Sequence, residues 1–442
     1  MTKTEFMSQL GPGQPEFMKA VETVVDGVWD FYQENPRFVK ANILNRLLEP
    51  EAVHQFKVTW VNDRNEVEVN RGFRVQFNSA LGPFRGGLRF HPSVNLGILK
   101  NLALDQTIKN SLSTLPMGGA RGGADFSPRG RSEAEIMRFC QAFMTELIKV
   151  IGPDVDIPSG DVGVGSREIG YLFGQYRKLT GRFNAAITGK SLDWGGTLLR
   201  PEAIGFGVAY FANEMLKTRG ESLKDKTVAI SGFGNVAWGA IKKLNQLGAV
   251  VITLSGPDGF IIDADGIAGE KLDYLLELRA SGNERISDYA RKYPSAKFFL
   301  DKKPWGVRCD LAIPCATQHE IGIKEAQELK ANGCGYVIEG GHAPCTAEAL
   351  GFFLEQGVLV GPGKAANLGS IVVGGLELTQ NSQRLRWTYE EVDRKLMEIV
   401  GDIHHMCLEY AKNSDGLIDY SLGANIAAFN RIANAMIDQG LG

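Results

Sequence analysis

Thr227-Val-Ala-Ile-Ser-Gly-Phe-Gly-Asn-Val-Ala237 passes from a short apolar run, residues 227–231, straight into a G-x-G-x-x-A turn. A helix-period stretch follows to Gly248, and residues 250–254 read as a second strand. Strand, G-x-G-x-x-A, helix, strand is the layout that binds a dinucleotide. The glycines permit the turn and a close approach of a pyrophosphate, and the helix start offers free N–H groups and the positive end of its dipole. An ordinary strand-to-helix turn has the same outline, so the flanking elements carry the argument. Gly232, Gly234, Asn235 and Val236 are the expected cofactor contacts. An acidic residue about 20 positions on would hold a ribose hydroxyl. Asp258 stands slightly late for that and Ser255 sits where the acid is expected. No arginine stands at that strand end to pair with a 2′-phosphate, which favours NAD over NADP.

Downstream, short apolar runs at 297–300, 310–316, 336–339 and 358–360 alternate with helical stretches, the pattern of a parallel sheet wound with helices. Ala316, His342 and Asn367 lie at or just after the ends of such runs, where ligands bind. The C-terminal stripe Val392, Leu396, Ile399, Ile403, Met406/Cys407 reads as a helix. Upstream of about residue 200 the texture differs. Residues 15–34 repeat Phe17, Val21, Val24, Val28 and Phe31/Tyr32 at helical spacing, and Pro15 suits the first turn. Residues 56–61 and 66–78 alternate as half-buried strands, with Val67, Val69, Phe73, Val75 and Phe77 apolar and Arg74 and Gln76 polar. Residues 96–111 form a helix with Gln106 and Lys109 three apart, so both can face one pocket. Ser132 and Glu135 make a capping box before a helix that runs to Ile151. The change of texture near residue 200 splits this α/β chain into two domains, the second of them Rossmann-like.

Three glycine-rich stretches read as shaped loops: residues 78–90, 114–126 and 156–165. The second presents Arg121 at its tip with Asp125 four residues later, the first carries Arg85, and the third bears Asp161. Two Gly-flanked arginines with Lys109 make a cationic pocket for a carboxylate; the plainer reading of Arg121 is a surface charge on a tight turn.

The net charge of −3 offers no basic surface for nucleic acid, and no run of 18 apolar residues suggests a membrane span. Six scattered cysteines without a C-x-x-C pair fit reduced thiols in a cytoplasmic protein. His404-His405 point about 100° apart on a helix and find no completing ligand pair, so no metal is expected.

Gly82-Pro-Phe-Arg-Gly-Gly-Leu-Arg-Phe-His-Pro-Ser-Val-Asn95, residues 114–125, Met137-Arg-Phe-Cys-Gln-Ala-Phe-Met-Thr-Glu146, Gly160-Asp-Val-Gly-Val-Gly165, Arg200-Pro-Glu-Ala, Pro314-Cys-Ala-Thr-Gln318 and Gly423-Ala-Asn-Ile426 together resemble the small hexameric glutamate dehydrogenases, within the Glu/Leu/Phe/Val dehydrogenases. The resemblance spans nearly the whole chain. It implies an α/β substrate and oligomerisation domain (1–199 and 375–442), to which the C-terminal helices return, a Rossmann-like dinucleotide domain (200–374), a homohexamer, and reversible oxidative deamination of an amino acid with NAD or NADP. It places the α-carboxylate lysine on Lys109 and the catalytic aspartate on Asp161, with Gln106 and Asn235 also matching. Other positions depart from the pattern. The catalytic lysine falls on Arg121, the lysine holding the side-chain carboxylate on Arg85, and its helper serine on Gly374. A nicotinamide-contacting threonine falls on Ile204, an asparagine on His342 and a small pocket residue on Ser159. Arg85, Gln106, Lys109, Ser159, Ile371 and Gly374 are thus the expected substrate residues, and Asp161 and Arg121 the catalytic ones. Three readings follow: an acidic amino-acid dehydrogenase with altered substrate or mechanism; an ammonia-independent 2-oxo acid reductase in which His342 donates the proton; and a non-catalytic nucleotide-binding hexamer subunit.

Overall fold

The computed structural model describes residues 2–10, 13–282, 285–412 and 416–441. The chain forms two compact units. The first comprises Met1–Leu198, Gly374–Thr388 and Asn425–Gly442, and the second Leu199–Val373 and Tyr389–Ala424.

In the first unit a five-stranded sheet has the order β1-β2-β4-β3-β5, with β1 Ala52–Val61, β2 Val67–Asn78, β3 Phe84–Phe90, β4 Gly119–Ala124 and β5 Asp156–Gly160. β2 runs antiparallel to β1 and β4, whereas β3 runs parallel to β4 and β5. The helices are α1 Pro15–Gln33, α2 Leu96–Leu112, α3 Glu133–Leu147 and α4 Ser166–Thr180. α1 buries Phe17, Val21, Val25, Val28 and Tyr32. Val25 replaces the expected Val24 because the core-facing stripe continues four residues on from Val21, leaving Val24 at its border. The α3 capping box forms, Glu135 N–H to Ser132 Oγ and Ser132 N–H to Glu135 Oε2, each 3.1 Å. That helix ends at Leu147, short of the expected 151. Its Phe139 meets Phe90 edge-on at 5.1 Å and heads an aromatic core with Trp60, Phe126 and Phe143.

Each of the three expected glycine-rich loops contains a strand, β3, β4 or β5. Glycine weakens a strand on propensity grounds, but here it admits neighbours: a Cβ on Gly119 would stand 1.9 Å from Thr107 Oγ1 of α2. Arg121 is accordingly no loop tip; it pairs across the sheet with Val75. On β2 the alternation also divides. Val67 and Val69 are 67% and 61% exposed, whereas from Gly72 onward both faces are covered. Arg74 is therefore fully buried, its Nε donating to Asp156 Oδ2 at 2.8 Å and its Nη1 to Gly86 O at 3.1 Å. Gln76 Nε2 adds a bond to the same Asp156 oxygen at 3.0 Å.

In the second unit the parallel sheet has the order β13-β12-β11-β6-β7, with β6 Thr227–Ile230, β7 Val250–Val251, β11 Leu311–Ile313, β12 Tyr336–Ile338 and β13 Leu359–Gly361. β8 Thr253–Gly256, β9 Gly259–Asp263 and β10 Ala296–Leu300 form a separate antiparallel sheet. The expected strand 250–254 is thus broken: Ile252 still donates to Val228 O, and the chain then leaves for a hairpin. Residues 297–300 likewise belong to that small sheet and not to the parallel one. Helices α5 Ala203–Lys217, α6 Asn235–Gln246 and α7 Glu270–Ala280 follow the same order along the chain.

α8 Gly369–Gln383 then runs from the second unit into the first, α9 Tyr389–Glu409 lies in the second, and α10 Tyr420–Asp438 runs from the second into the first. The expectation that all of 375–442 rejoins the first domain therefore needs correction at α9. Its Asp393 accepts from Tyr210 OH at 2.6 Å and from Lys243 Nζ at 2.7 Å, which ties α9 to α5 and α6. α9 buries Val392, Leu396, Val400, Ile403, His404 and Cys407; Ile399 and Met406 are only half-buried, one residue off the stripe. Among the described residues no helix is long and apolar enough to cross a membrane.

Candidate active site

The first unit gathers its polar chemistry where β3, β4 and β5 lie side by side. Arg121 Nη1 donates to Gln106 Oε1 at 2.9 Å, and its Nη2 lies 3.4 Å from Asp161 Oδ2. Arg121 Nε is buried and has no hydrogen-bond partner among the described residues. Burial pulls this guanidinium below its ordinary pKa, while the Asp161 carboxylate opposes the shift. Asp161 also accepts from Arg89 Nε at 2.9 Å, so two guanidinium groups converge on one carboxylate oxygen. Arg89 lay in the quoted motif without a role; it and Asp161 each follow directly on the last β3–β5 pair, Leu88 with Gly160, which brings them together. The space for this cluster comes from Gly87, where a Cβ would stand 2.8 Å from Arg121 Nη1 and 2.9 Å from Asp161 Cβ. Gly87 pairs with Ser159 of β5, which places Ser159 beside the cluster.

Gln106 continues a hydrogen-bonded chain. Its Nε2 donates to Asn110 Oδ1 at 2.7 Å, and Asn110 Nδ2 donates to Arg85 O at 3.1 Å. Arg85 is 3% exposed, and its Nη2 approaches Thr188 Oγ1 at 3.5 Å. The expected cationic pocket is partly assembled, because Arg85, Gln106, Arg121 and Asp161 are linked through these groups. Lys109 is turned to Asp105 one helical turn back, Nζ to Oδ2 at 2.7 Å. Gly374 is buried and Ile371 half-buried on α8.

In the second unit the expected cofactor residues collect at the C-terminal ends of the parallel strands. Gly232 has φ +92° and donates its N–H to Ser255 Oγ at 2.8 Å. Only glycine takes that backbone readily, and a Cβ there would meet Cys315 O at 2.8 Å. Gly234 caps α6 without any side-chain bond, and a Cβ on it would meet nothing within 4 Å. The first N–H groups of α6 are thus open to an anion, which fits a dinucleotide pyrophosphate. Val236 packs near Gly340, Ala316 N–H is taken by Glu320 Oε1 at 2.9 Å, and Asn367 Nδ2 donates to Gly341 O at 3.2 Å. Burial pushes the Glu320 carboxyl up from its ordinary value. His342 is exposed and Ile204 half-buried.

Asp258 does not stand at the end of a parallel strand. It lies in the β8–β9 turn, and its two oxygens accept the N–H groups of Ile286 and Ser287 at 3.0 and 3.1 Å. The same residue lines a hollow of about 490 Å³ with Arg285 and Arg291. Two arginines thus stand in space beside an aspartate that has none near it in sequence. A third arginine, Arg279 of α7, donates from Nη1 to Asn235 Oδ1 at 2.6 Å at the start of α6. None of the three arginines stands near the G-x-G-x-x-A stretch in sequence, so no local signal marked them.

Two family models match the chain. Glu/Leu/Phe/Val dehydrogenase, dimerisation domain, matches residues 50–178, and Glutamate/Leucine/Phenylalanine/Valine dehydrogenase matches residues 195–440. The chain is 54% identical to the NAD-specific glutamate dehydrogenase of Bacteroides fragilis over 97% of each protein. It is 50% identical to the NADP-specific glutamate dehydrogenase of Salmonella typhimurium over 97% of this chain and 96% of the other. The crystal structure of Plasmodium falciparum glutamate dehydrogenase superposes with a TM-score of 0.93 at 45% identity, covering 99% of this chain and 94% of that one. With both its parts matched and its fold shared, the chain belongs to the Glu/Leu/Phe/Val dehydrogenase family.

Proposed function

We propose that the protein is an NAD(P)-dependent dehydrogenase that interconverts an acidic amino acid and its 2-oxo acid, with substrate or mechanism altered from that of the glutamate dehydrogenases it resembles. The observation that carries this reading is Arg121, set between Gln106 and Asp161 at the position the family fills with its catalytic lysine. NAD(P), when bound, supplies the hydride acceptor; Gly232, Gly234, Asn235 and the open start of α6 would hold its pyrophosphate, Asp258 its adenosine ribose, and Arg285 a 2′-phosphate where the cofactor carries one.

In this reading Lys109 takes the α-carboxylate and Arg85 the distal anion. Arginine binds a carboxylate in a bidentate fashion that lysine does not, so the distal group sits differently from that of glutamate. Asp161 holds the proton exchanged with the amino or imino nitrogen. Arg121 polarises the substrate carbonyl or imine and steadies developing negative charge. It is a poor proton shuttle, because arginine stays protonated in proteins. Assembly as a homohexamer is supported by the exposed edge strand β1, by the exposed valines at 53, 61, 67 and 69, and by the dimerisation-domain match over that region.

The test is NADH and NADPH absorbance with a panel of 2-oxo acids, with and without ammonium. Ammonium-dependent turnover of a dicarboxylic oxo acid supports the proposal. Ammonium-independent turnover replaces it with a 2-oxo acid reductase, and silence despite cofactor binding replaces it with a nucleotide-binding subunit.

A further inference from the structure

A fully buried ion pair lies away from the reacting groups of the first unit. Lys190 and Glu377 are both inaccessible at the side chain, with Nζ 3.0 Å from Oε1. Such pairs are weak sources of stability, because well-packed apolar residues often replace them at no loss. The bonds around this pair have a geometric consequence. Glu377 accepts the N–H of Gly189 through both oxygens, at 3.1 and 3.0 Å, and the N–H of Lys190 at 3.2 Å. Lys190 Nζ turns back to donate to Ile187 O. Thr188 is caught inside this knot. Its N–H donates to Pro158 O at 3.0 Å, next to Ser159, and its buried hydroxyl is the group 3.5 Å from Arg85 Nη2. The same face of α8 holds the far end of the segment: Gln380 Nε2 donates to Thr197 Oγ1 at 2.8 Å and Asn381 Nδ2 to Gly195 O at 2.7 Å. Gly374 lies one turn before Glu377 on that helix.

We infer that Glu377 and Lys190 are positioning residues: their buried clamp fixes the Thr188 hydroxyl against Arg85 and so sets the grip on the distal anionic group of the substrate. This rests on the acidic-substrate reading above. An anion seated at Arg85 meets a hydroxyl whose place is set by Glu377 of α8.

Glutarate and succinate are suitable probes, being dicarboxylates without an amino or oxo group, so binding is read without turnover. Glu377→Gln keeps the shape and removes the charge. By calorimetry its Kd for glutarate should rise at least tenfold while its Kd for NADH stays unchanged, and Glu377→Asp should restore part of the affinity. Phe139→Leu, in the aromatic core of the same unit, lowers Tm and should leave glutarate affinity alone. Unchanged glutarate binding in folded Glu377→Gln, or equal weakening in Phe139→Leu, overturns the clamp. If Glu377→Gln does not fold, Lys190→Met with Glu377→Gln, which leaves no charge buried, carries the same readouts. If the wild-type protein binds neither dicarboxylate, the acidic-substrate reading fails by itself. A crystal structure of Glu377→Gln then decides the clamp: Thr188 withdrawn from Arg85 supports it, and Thr188 unmoved refutes it.

Discussion

Arg121→Lys is the substitution that bears most directly on the proposed chemistry. Arg121 now spends its two terminal nitrogens on Gln106, at 2.9 Å, and on Asp161, at 3.4 Å. A lysine there is shorter and carries one ammonium in place of two terminal nitrogens, so one of the two contacts is given up. Two magnitudes follow. Losing one charge-assisted contact costs ~1.5–3 kcal/mol of stability, to be read as a fall in Tm. Gaining a group able to exchange protons is worth ~10²–10⁴ in rate, or ~3–5 kcal/mol at ~1.4 kcal/mol per decade. Turnover gains therefore outweigh the structural loss as long as the protein stays folded. Because Arg85 and Gly374 also depart from the family pattern, the full effect is expected in Arg121→Lys with Arg85→Lys and Gly374→Ser. The assay is NAD⁺ reduction by L-glutamate, together with ammonium-dependent oxidation of NADH by 2-oxoglutarate, followed from neutral to alkaline pH. We expect kcat/KM for glutamate to rise by about two decades or more, with a pH dependence that follows the new lysine. A folded triple variant of native assembly with no rise in glutamate turnover would refute the argument that these three positions explain the divergence.

Arg74→Met leaves Asp156 buried without its partner and should cost ~3–5 kcal/mol, a fall in Tm of roughly 6–20 °C for a unit of this size; adding Asp156→Leu should recover most of it, and a double variant as unstable as the single one would contradict this. Burial lowers His404 from 6.5 to about 4, against Phe211 and with Tyr420 OH 2.9 Å from its Nε2. The unfolded chain then binds a proton that the folded one refuses, so stability held above pH 6.5 is lost as pH falls toward 4, by about 3 kcal/mol. His404→Phe should flatten that slope in urea titrations across the window, and an unchanged slope counts against it. Arg285→Ala with Arg291→Ala should raise KM for NADPH by ~10–100-fold, the worth of one charge-assisted contact, and leave NADH nearly untouched; equal effects on both cofactors would show that neither arginine serves a 2′-phosphate.

The Rossmann-like strand–turn–helix was legible because its signals are local: an apolar run, two glycines and a helix period fall within one short stretch. The helices were legible for the same reason, to within a residue or two at their stripes and ends, save α3, which stops four residues short of its expected end. What escaped was set by neighbours. β3, β4 and β5 read as loops because their glycines suit loops, and only the closeness of α2 to Gly119 shows why a strand needs them. β7 and β8 read as one strand because no residue at Ile252 announces a change of sheet. Arg85, Asp161 and Arg121 were identified from glycine-rich motifs and resemblance. Their partners Arg89 and Thr188 emerge from strand register and from a loop held by a distant helix. Arg279 and Arg285 lie more than 40 and more than 25 residues beyond Asn235 and Asp258, the residues they stand beside, so no short window pairs them.

The crowding at Gly119 separates two histories that a signature normally records together. A glycine pinned by close packing cannot gain a side chain without moving its neighbours, while a cation threaded between such glycines meets no such bar. A search pattern built on the glycines of β3 and β4 will keep recovering chains like this one whatever they have come to catalyse. Discrimination among such chains should be read at the three or four side chains the glycines leave room for. In an uncurated genome, the informative letters of this motif are its variable ones.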